Sequence, residues 1–302
     1  MSLIYYLKHP SQILTALWSR IGCYLNDETY LKIRFRLSMG YRLNLNNPKT
    51  FNEKLNWLKL HDRKDEYRKL VDKYEVKEYV SSIIGSNHVI PTLAVWDNVD
   101  DIDIGTLPDK FVLKATNGGG GSGVVICKDK ATFNLAEAKK RLLKSSKTAW
   151  KISREWVYYD VKPRFIAEKY LEFERGEDFD YKFFCFNGIP KTILVCKDRF
   201  TKEGMSEDFF TSSWEHIDVR RPEVRNSEVR IDEPSELKKM LDIVQKLSKD
   251  ITFVRVDMYS NKNNIYFGEM TFYPSGGFTS FDPKKYDEIF GSWLSIENVG
   301  GG

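Results

Sequence analysis

The sequence holds little that would commit it to a membrane, a zinc centre or redox chemistry. No apolar run approaches the ~20 residues that span a bilayer. Lys8, His9 and Arg20 interrupt the N-terminal stretch, so a signal peptide is not expected either. The four cysteines, Cys23, Cys127, Cys185 and Cys196, show no Cys-x-x-Cys spacing. Three of them sit in apolar or strand-like surroundings, where buried, reduced thiols are expected. The four histidines are equally dispersed, which leaves no argument for a zinc site or a Cys-His nucleophile. Charge of one sign is scarce: 47 basic residues against 43 acidic ones give +4, mixed along the chain. That balance carries no argument for nucleic acid. A cytoplasmic placement is the default expectation. What remains, 302 residues with 41% hydrophobic and 14% aromatic content, is enough for a large core in one elaborated domain or two.

The most informative stretch is Phe111-Val-Leu-Lys-Ala-Thr-Asn-Gly-Gly-Gly-Gly-Ser-Gly-Val-Val-Ile126. Two β-branched, apolar runs flank a loop holding Gly118, Gly119, Gly120, Gly121, Ser122 and Gly123, which reads as a hairpin with a mobile tip. Glycine lets backbone N–H groups approach a phosphate chain, and Lys114 stands just before the loop, where its ammonium reaches the same phosphates. The same composition also suits a glycine-rich surface hairpin or a linker. A Walker A loop would need Gly-Lys-Ser/Thr leading into a helix, and a dinucleotide fingerprint would also open a helix. Here Val124 to Cys127 continues as a strand.

Along the chain, Tyr5 to Leu25 has helix-like spacing, and the basic, amphipathic Tyr30 to Leu37 is expected to dock on the body. Peripheral contact with a membrane surface is the alternative. Thr50 with Glu53 reads as a capping box for a helix burying Phe51, Leu55, Leu58 and Trp57. A second helix is expected from about Asp72 to Gly85, then a strand from Val89 to Trp96 interrupted by Pro91. A helix over Asn134 to Lys144 would turn Leu135, Ala138, Leu142 and Leu143 inward. Phe165 to Leu171 reads as a strand, and Asp180 to Cys196 as a hairpin bending at Asn187-Gly188. Arg199 to Asp232 reads as a long charged loop, and long loops are often functional. Pro234 to Lys249 is the clearest helix, with Leu237, Met240, Leu241, Val244 and Leu247 as its core face.

A second hairpin carries carboxylates: Phe253 to Ser260 and Ile265 to Phe272 around Asn261-Lys-Asn-Asn264. A turn centred on Asn263 sets Asp257 opposite Glu269, with Thr271 two residues further on the same face. Paired carboxylates suit a magnesium ion bound with nucleotide phosphates. A two-residue turn at Lys262-Asn263 would set the pair on opposite faces. Arg255 shares the face of Asp257, and Lys182 alternates with Asp180.

At this point the chain resembles the ATP-grasp superfamily, from about Asp72 to Asp282. The resemblance implies an α+β fold of two lobes clasping ATP. The first lobe would span 71–164 with the glycine flap and the second 165–302 with the magnesium hairpin, behind a helical extension at 1–70. It implies Lys73, Lys114 and the flap at the phosphates, and Glu168, Lys169, Tyr170 and Leu171 at the adenine. Asp180 and Lys182 are expected near the phosphates or ribose. Asp257, Glu269 and Thr271 match the metal ligands, with threonine standing where asparagine is usual. Arg255 would face the acyl phosphate, with Lys182 and Lys114 as further catalytic cations, and Ser275, Gly276 and Gly277 would form an acceptor loop. More narrowly, Thr50-Phe-Asn-Glu-Lys-Leu, Asp180-Tyr-Lys-Phe-Phe-Cys-Phe-Asn-Gly, Arg255-Val-Asp-Met-Tyr and Gly268-Glu-Met-Thr-Phe-Tyr-Pro-Ser-Gly-Gly-Phe resemble the TupA-like ATP-grasp group. That group is associated with bacterial cell-surface polysaccharide, capsule and teichuronopeptide assembly.

The resemblance implies an ATP- and Mg²⁺-dependent carboxylate–amine ligase. Its partners would be a small-molecule or glycan carboxylate, such as a uronic acid, and an amine from an amino acid or amino sugar. Two alternatives stay open: a phosphotransferase using the same ATP site, and a glycosyltransferase using a nucleotide-sugar. Asp101-Ile-Asp103 has the metal-motif spacing of the latter. A cytoplasmic enzyme, in the variant reading held at the inner face of the membrane, is expected.

Overall fold

Local sequence signals set the helix boundaries. In α1 (Asp27–Met39) the Asn26 side chain accepts the Thr29 N–H, and Gly40, at φ 79°, ends the helix. The Thr50–Glu53 capping box forms as expected and starts α2 (Phe51–His61). Two shorter helices follow, α3 (Glu66–Val71) and α4 (Val76–Ile84), the latter stopped at Gly85. The computed structural model describes residues 22–118, 123–146, 152–173, 179–198, 204–261, 264–297 and 299. The expected helical face from Tyr5 to Ile21 and the tip Gly119–Ser122 lie outside them, as does the Cys23 side chain.

The first sheet comprises β1 (Thr92–Trp96), β2 (Phe111–Ala115), β3 (Val124–Cys127) and β4 (Phe165–Lys169), in the order β1-β4-β2-β3. Every pair in it is antiparallel. Pro91, which lacks an N–H for the ladder, sits just before β1 rather than within it. β4, expected to open the second lobe, lies instead between β1 and β2, so a division at 164/165 runs alongside a strand of this sheet. Helix α5 (Leu135–Ser146) covers the sheet with Ala138 and Leu142. Leu143 was expected inside but is exposed, because it lies a full residue step round the helix from Leu142.

The second sheet contains β5 (Asp180–Phe186), β6 (Ile189–Lys197), β7 (Ser206–Thr211), β8 (His216–Ile217), β9 (Phe253–Asn261) and β10 (Asn264–Thr271). Their order is β10-β9-β5-β6-β7-β8. Asn187 and Gly188 adopt φ 49° and 79°, the left-handed pair that a two-residue hairpin turn requires. The expected long loop is thus partly β: it supplies β7 and β8. The reason it escaped a strand reading is that β7 begins Ser-Glu-Asp, and those polar side chains are buried.

Helices α6 (Leu237–Leu247) and α7 (Lys285–Trp293) complete the large core. Ile243, missed by the spacing, is buried on α6, while Leu241 is only half-buried. Phe51 of α2 packs edge-on to Phe253 at 5.0 Å and lies within 6.4 Å of Phe186, Phe281 and Phe290. Burying a ring of this size is worth about 1.5–3 kcal/mol. This is what joins α2 to the second sheet rather than to a separate extension. Tyr30, Leu31 and Phe35 of α1 are buried against the body, as the docking reading expected. Among the described residues no helix is long and apolar enough to cross a membrane.

Candidate functional site

The carboxylate hairpin reaches its expected pairing by an unexpected route. Asn261 pairs with Asn264, so the connection has only the two residues that would set Asp257 and Glu269 on opposite faces. The ladder then slips by one residue between Phe267 and Glu269, with Gly268 as the extra residue of a bulge. Beyond the slip Glu269 stands opposite Asp257, and Thr271 opposite Arg255. A Cβ on Gly268 would lie 2.9 Å from Tyr259 Cε2 and 3.1 Å from the Asp257 carbonyl oxygen, so the bulge requires glycine.

Around this pair the second sheet assembles three carboxylates and two cations, and Lys73 reaches in from between α3 and α4 as a third. Arg255 donates to both oxygens of Asp257, at 2.6 and 2.7 Å, and its Nη2 also donates to Glu269 and Thr271, at 3.1 Å each. Lys182, opposite Asp257 in the β5–β9 register, lies 2.5 Å from Asp257 and 2.6 Å from Asp180. Burial raises the Glu269 carboxyl, but Lys73, Arg255 and Lys182 outweigh it and hold the group well below the usual carboxylate range. Burial pushes the Asp257 carboxyl up, and Arg255 and Lys182 offset only part of that, so it stays above the usual carboxylate range. For Lys182, burial works against the charge and the two aspartates more than restore it.

The first sheet builds a different cluster. Glu168, with a side chain only 4% exposed, takes Lys77 on one oxygen and Lys114 on the other, each at 2.5 Å. The two lysines overcome the effect of burial and lower its pKa. Lys77 was not expected here. It follows Lys73 by one helical turn, a signal the sequence did contain. Lys169 of the same stretch points outward, and its N–H donates to the Pro91 carbonyl at 3.0 Å. Tyr170 and Leu171 are half-buried.

Lys73 connects the clusters. Its ammonium donates to the Gly118 carbonyl at 2.5 Å and lies 3.3 Å from Glu269, bringing the base of the glycine hairpin to the carboxylate hairpin. A Cβ on Gly123 would meet Ser145 Oγ at 2.6 Å, so the α5 terminus packs on the hairpin base only because it is glycine. By contrast, Asp101 and Asp103 are exposed and cap their own turns through Asn98 and the Gly105 N–H.

The loop after β10 is held from behind by α2. Ser275, Gly276 and Gly277 run through φ 50°, 64° and 70°, three consecutive left-handed residues. Asn56 donates to the Gly277 carbonyl at 2.8 Å, Lys59 to the Gly276 carbonyl at 2.5 Å, and Asn52 to the Thr279 carbonyl at 2.8 Å. All three side chains are fully buried. Lys59 also donates to the Ser153 carbonyl at 2.8 Å and sits over the Phe278 ring at 4.6 Å; burial brings its pKa down to about 7. In the sequence α2 shows only an apolar face.

Among the described residues no cluster of three or more His, Cys, Asp or Glu is spaced to hold a metal by itself. Asp257 and Glu269 are instead a two-carboxylate set, the kind that magnesium uses when substrate phosphates fill its remaining positions.

No curated protein sequence matches the chain. Among solved structures it is similar to the D-alanine-D-alanine ligase from Helicobacter pylori, with a TM-score of 0.45 and 17% identity over 81% of this chain and 69% of that one. It is similar also to the ligase of the same name from Bacillus anthracis, complexed with ATP, with a TM-score of 0.38 and 16% identity over 67% and 54%. An N5-carboxyaminoimidazole ribonucleotide synthetase in its ADP complex gives 0.40 and 16% over 67% and 45%. The chain thus spans about half the length of the last two. The family model for the TupA-like ATP-grasp proteins matches residues 53–295, most of the chain, which therefore belongs to that family and carries its ATP-grasp fold.

Proposed function

We propose that the protein is an ATP-dependent carboxylate–amine ligase working through an acyl phosphate. The observation that carries this reading is Lys73, whose one ammonium meets both the Gly118 carbonyl and Glu269. A ligand with a chain of negative charges would find Lys73 and Lys114 at the base of the glycine hairpin on one side, and Lys182 and Arg255 on the other. Glu168 to Leu171 would border the adenine. Asp257 and Glu269, with the Thr271 hydroxyl, would hold magnesium. The ion supplies, when bound, positive charge that offsets the charge on the transferring phosphoryl group.

In the first step the substrate carboxylate attacks the γ-phosphorus and ADP leaves. In the second an amine attacks the acyl carbon, phosphate departs and the amine loses a proton. Arg255 is fixed bidentately by Asp257, so it can face the acyl phosphate without reorganising. Ser275 to Gly277 would receive the acceptor. We take a uronic acid of a cell-surface polysaccharide or its precursor as the carboxylate, and an amino acid or amino sugar as the amine, from the association of the group the motifs resemble.

Calorimetric titration of ATP·Mg²⁺ tests this reading. Wild type is expected to bind, with Lys114→Ala and Glu269→Ala weaker by about tenfold or more each. Tight binding of UDP-sugars in place of ATP would overturn it in favour of a glycosyltransferase.

A further inference from the structure

Strand β7 buries Glu207 and Asp208 at 3% and 4% exposure, a costly arrangement unless both are well partnered. Apart from the Cys196 thiol on β6, which donates to Glu207, their partners among the described residues come from the segment that follows. Asp208 accepts from Asn226 at 3.1 Å and from the Ser227 N–H at 2.9 Å, while Asn226 also donates to the Glu207 carbonyl at 2.9 Å. Glu207 takes Arg221 bidentately, through Nε at 2.6 Å and through Nη2. The neighbouring Arg220 exchanges two backbone hydrogen bonds with Asp282, at 3.0 and 2.9 Å. The Arg221 guanidinium is therefore fixed in position and in plane.

Its remaining contact is with the left-handed loop: Nη1 donates to Ser275 Oγ at 3.2 Å, joining residues 54 apart in sequence. Ser275 is exposed, and the Arg221 side chain is 25% exposed. Three of the five guanidinium N–H groups are engaged among the described residues. One N–H on each terminal nitrogen is left, the number a carboxylate takes in a bidentate pair.

We propose that Arg221 and Ser275 form a recognition site for a carboxylate group on the acceptor substrate. The proposal rests on the reading of Ser275 to Gly277 as the acceptor loop. A carboxylate is favoured over a phosphate dianion because Glu207 already compensates the arginine charge, leaving directional donors more than a surplus field. The Lys59 and Asn56 clamp keeps the loop in the conformation that presents the Ser275 hydroxyl to Arg221.

The test is titration of D-glucuronate and of L-alanine, with D-glucose as the uncharged control, into the full chain with and without a non-hydrolysable ATP analogue and Mg²⁺. At least one carboxylate is expected to bind wild type, and which one identifies the source. D-Glucose is expected not to bind. Arg221→Met should weaken the carboxylate about tenfold or more, and Arg221→Lys should weaken it less. Ser275→Ala, which leaves the Arg221–Glu207 pair alone, should weaken it in the same direction. ATP·Mg²⁺ affinity is expected to be equal in all variants, which also reports that they fold. Equal carboxylate affinity in Arg221→Met and Ser275→Ala, binding of neither carboxylate to wild type, or binding of D-glucose as tight as D-glucuronate would overturn the proposal. Carboxylate binding that depends on Arg221 in a protein that binds no ATP would overturn the ligase reading and leave this one standing.

Discussion

The two sheets hold their charges in opposite ways. In the four-stranded sheet one carboxylate, Glu168, serves two lysines, Lys77 and Lys114. On the six-stranded sheet Asp180, Asp257 and Glu269 face Lys182 and Arg255, and Lys73, reaching in from the turn between α3 and α4, makes it three against three. The first cluster keeps a surplus positive charge beside the glycine hairpin, so an incoming anion improves it without displacing anything. The second is neutral, so an anion arriving there must take a cation from a carboxylate, and a divalent ion can fill the place that cation leaves. Attraction belongs to one sheet and exchange to the other.

The largest expected break in this comparison is Glu168→Gln. It strips two buried lysines of their counterion and should lower stability by about 3–5 kcal/mol in urea denaturation. Asp180→Asn should cost much less, about 1 kcal/mol, because Lys182 keeps Asp257 at 2.5 Å. The reverse order would end the comparison.

Next is Gly268→Ala, which drives a Cβ to 2.9 Å from Tyr259. Relief of that overlap should cost about 1–3 kcal/mol. It should also turn Glu269 away from Asp257, so that ATP·Mg²⁺ affinity falls together with thermal stability. Unchanged affinity would show that the carboxylates need not be opposed.

The smallest effect concerns a lysine outside both clusters. Folded Lys59 releases its proton near pH 7, against 10.5 ordinarily. Between those values the unfolded chain binds more protons, so this group makes stability rise with pH. The groups that face it are Glu155, Arg34 and Asp27, and burial pushes the Glu155 carboxyl up, which acts in the opposite sense at lower pH. Lys59→Met should flatten the profile of urea midpoints above pH 7. A slope unchanged by the substitution would place its source elsewhere.

Much of this was legible in the sequence where the cause is local. Thr50 with Glu53 and Asn187 with Gly188 fix a cap and a turn within a few residues, and both formed as expected. The opposition of Asp257 and Glu269 was legible as an outcome, although the turn that produces it was not. Lys77, Arg221 and the polar stripe Asn52–Asn56–Lys59 escaped because their meaning lies in partners 50 to more than 200 residues away. A buried lysine on an amphipathic helix looks like any solvated one until the chain closes over it. The tip of the glycine hairpin, Gly119 to Ser122, lies outside the described residues.

The Gly268 bulge makes the hairpin a matter of parity. A strand pair has an odd or an even register, and each residue added or removed between two paired positions flips it. Here the two-residue turn contributes one flip and the bulge a second, so Asp257 and Glu269 return to a common face. Either change alone separates them, whereas a turn longer by one residue joined to a strand without Gly268 gives the same face again. The two features can therefore be exchanged only as a pair, and a chain that alters one carries the imprint of the other.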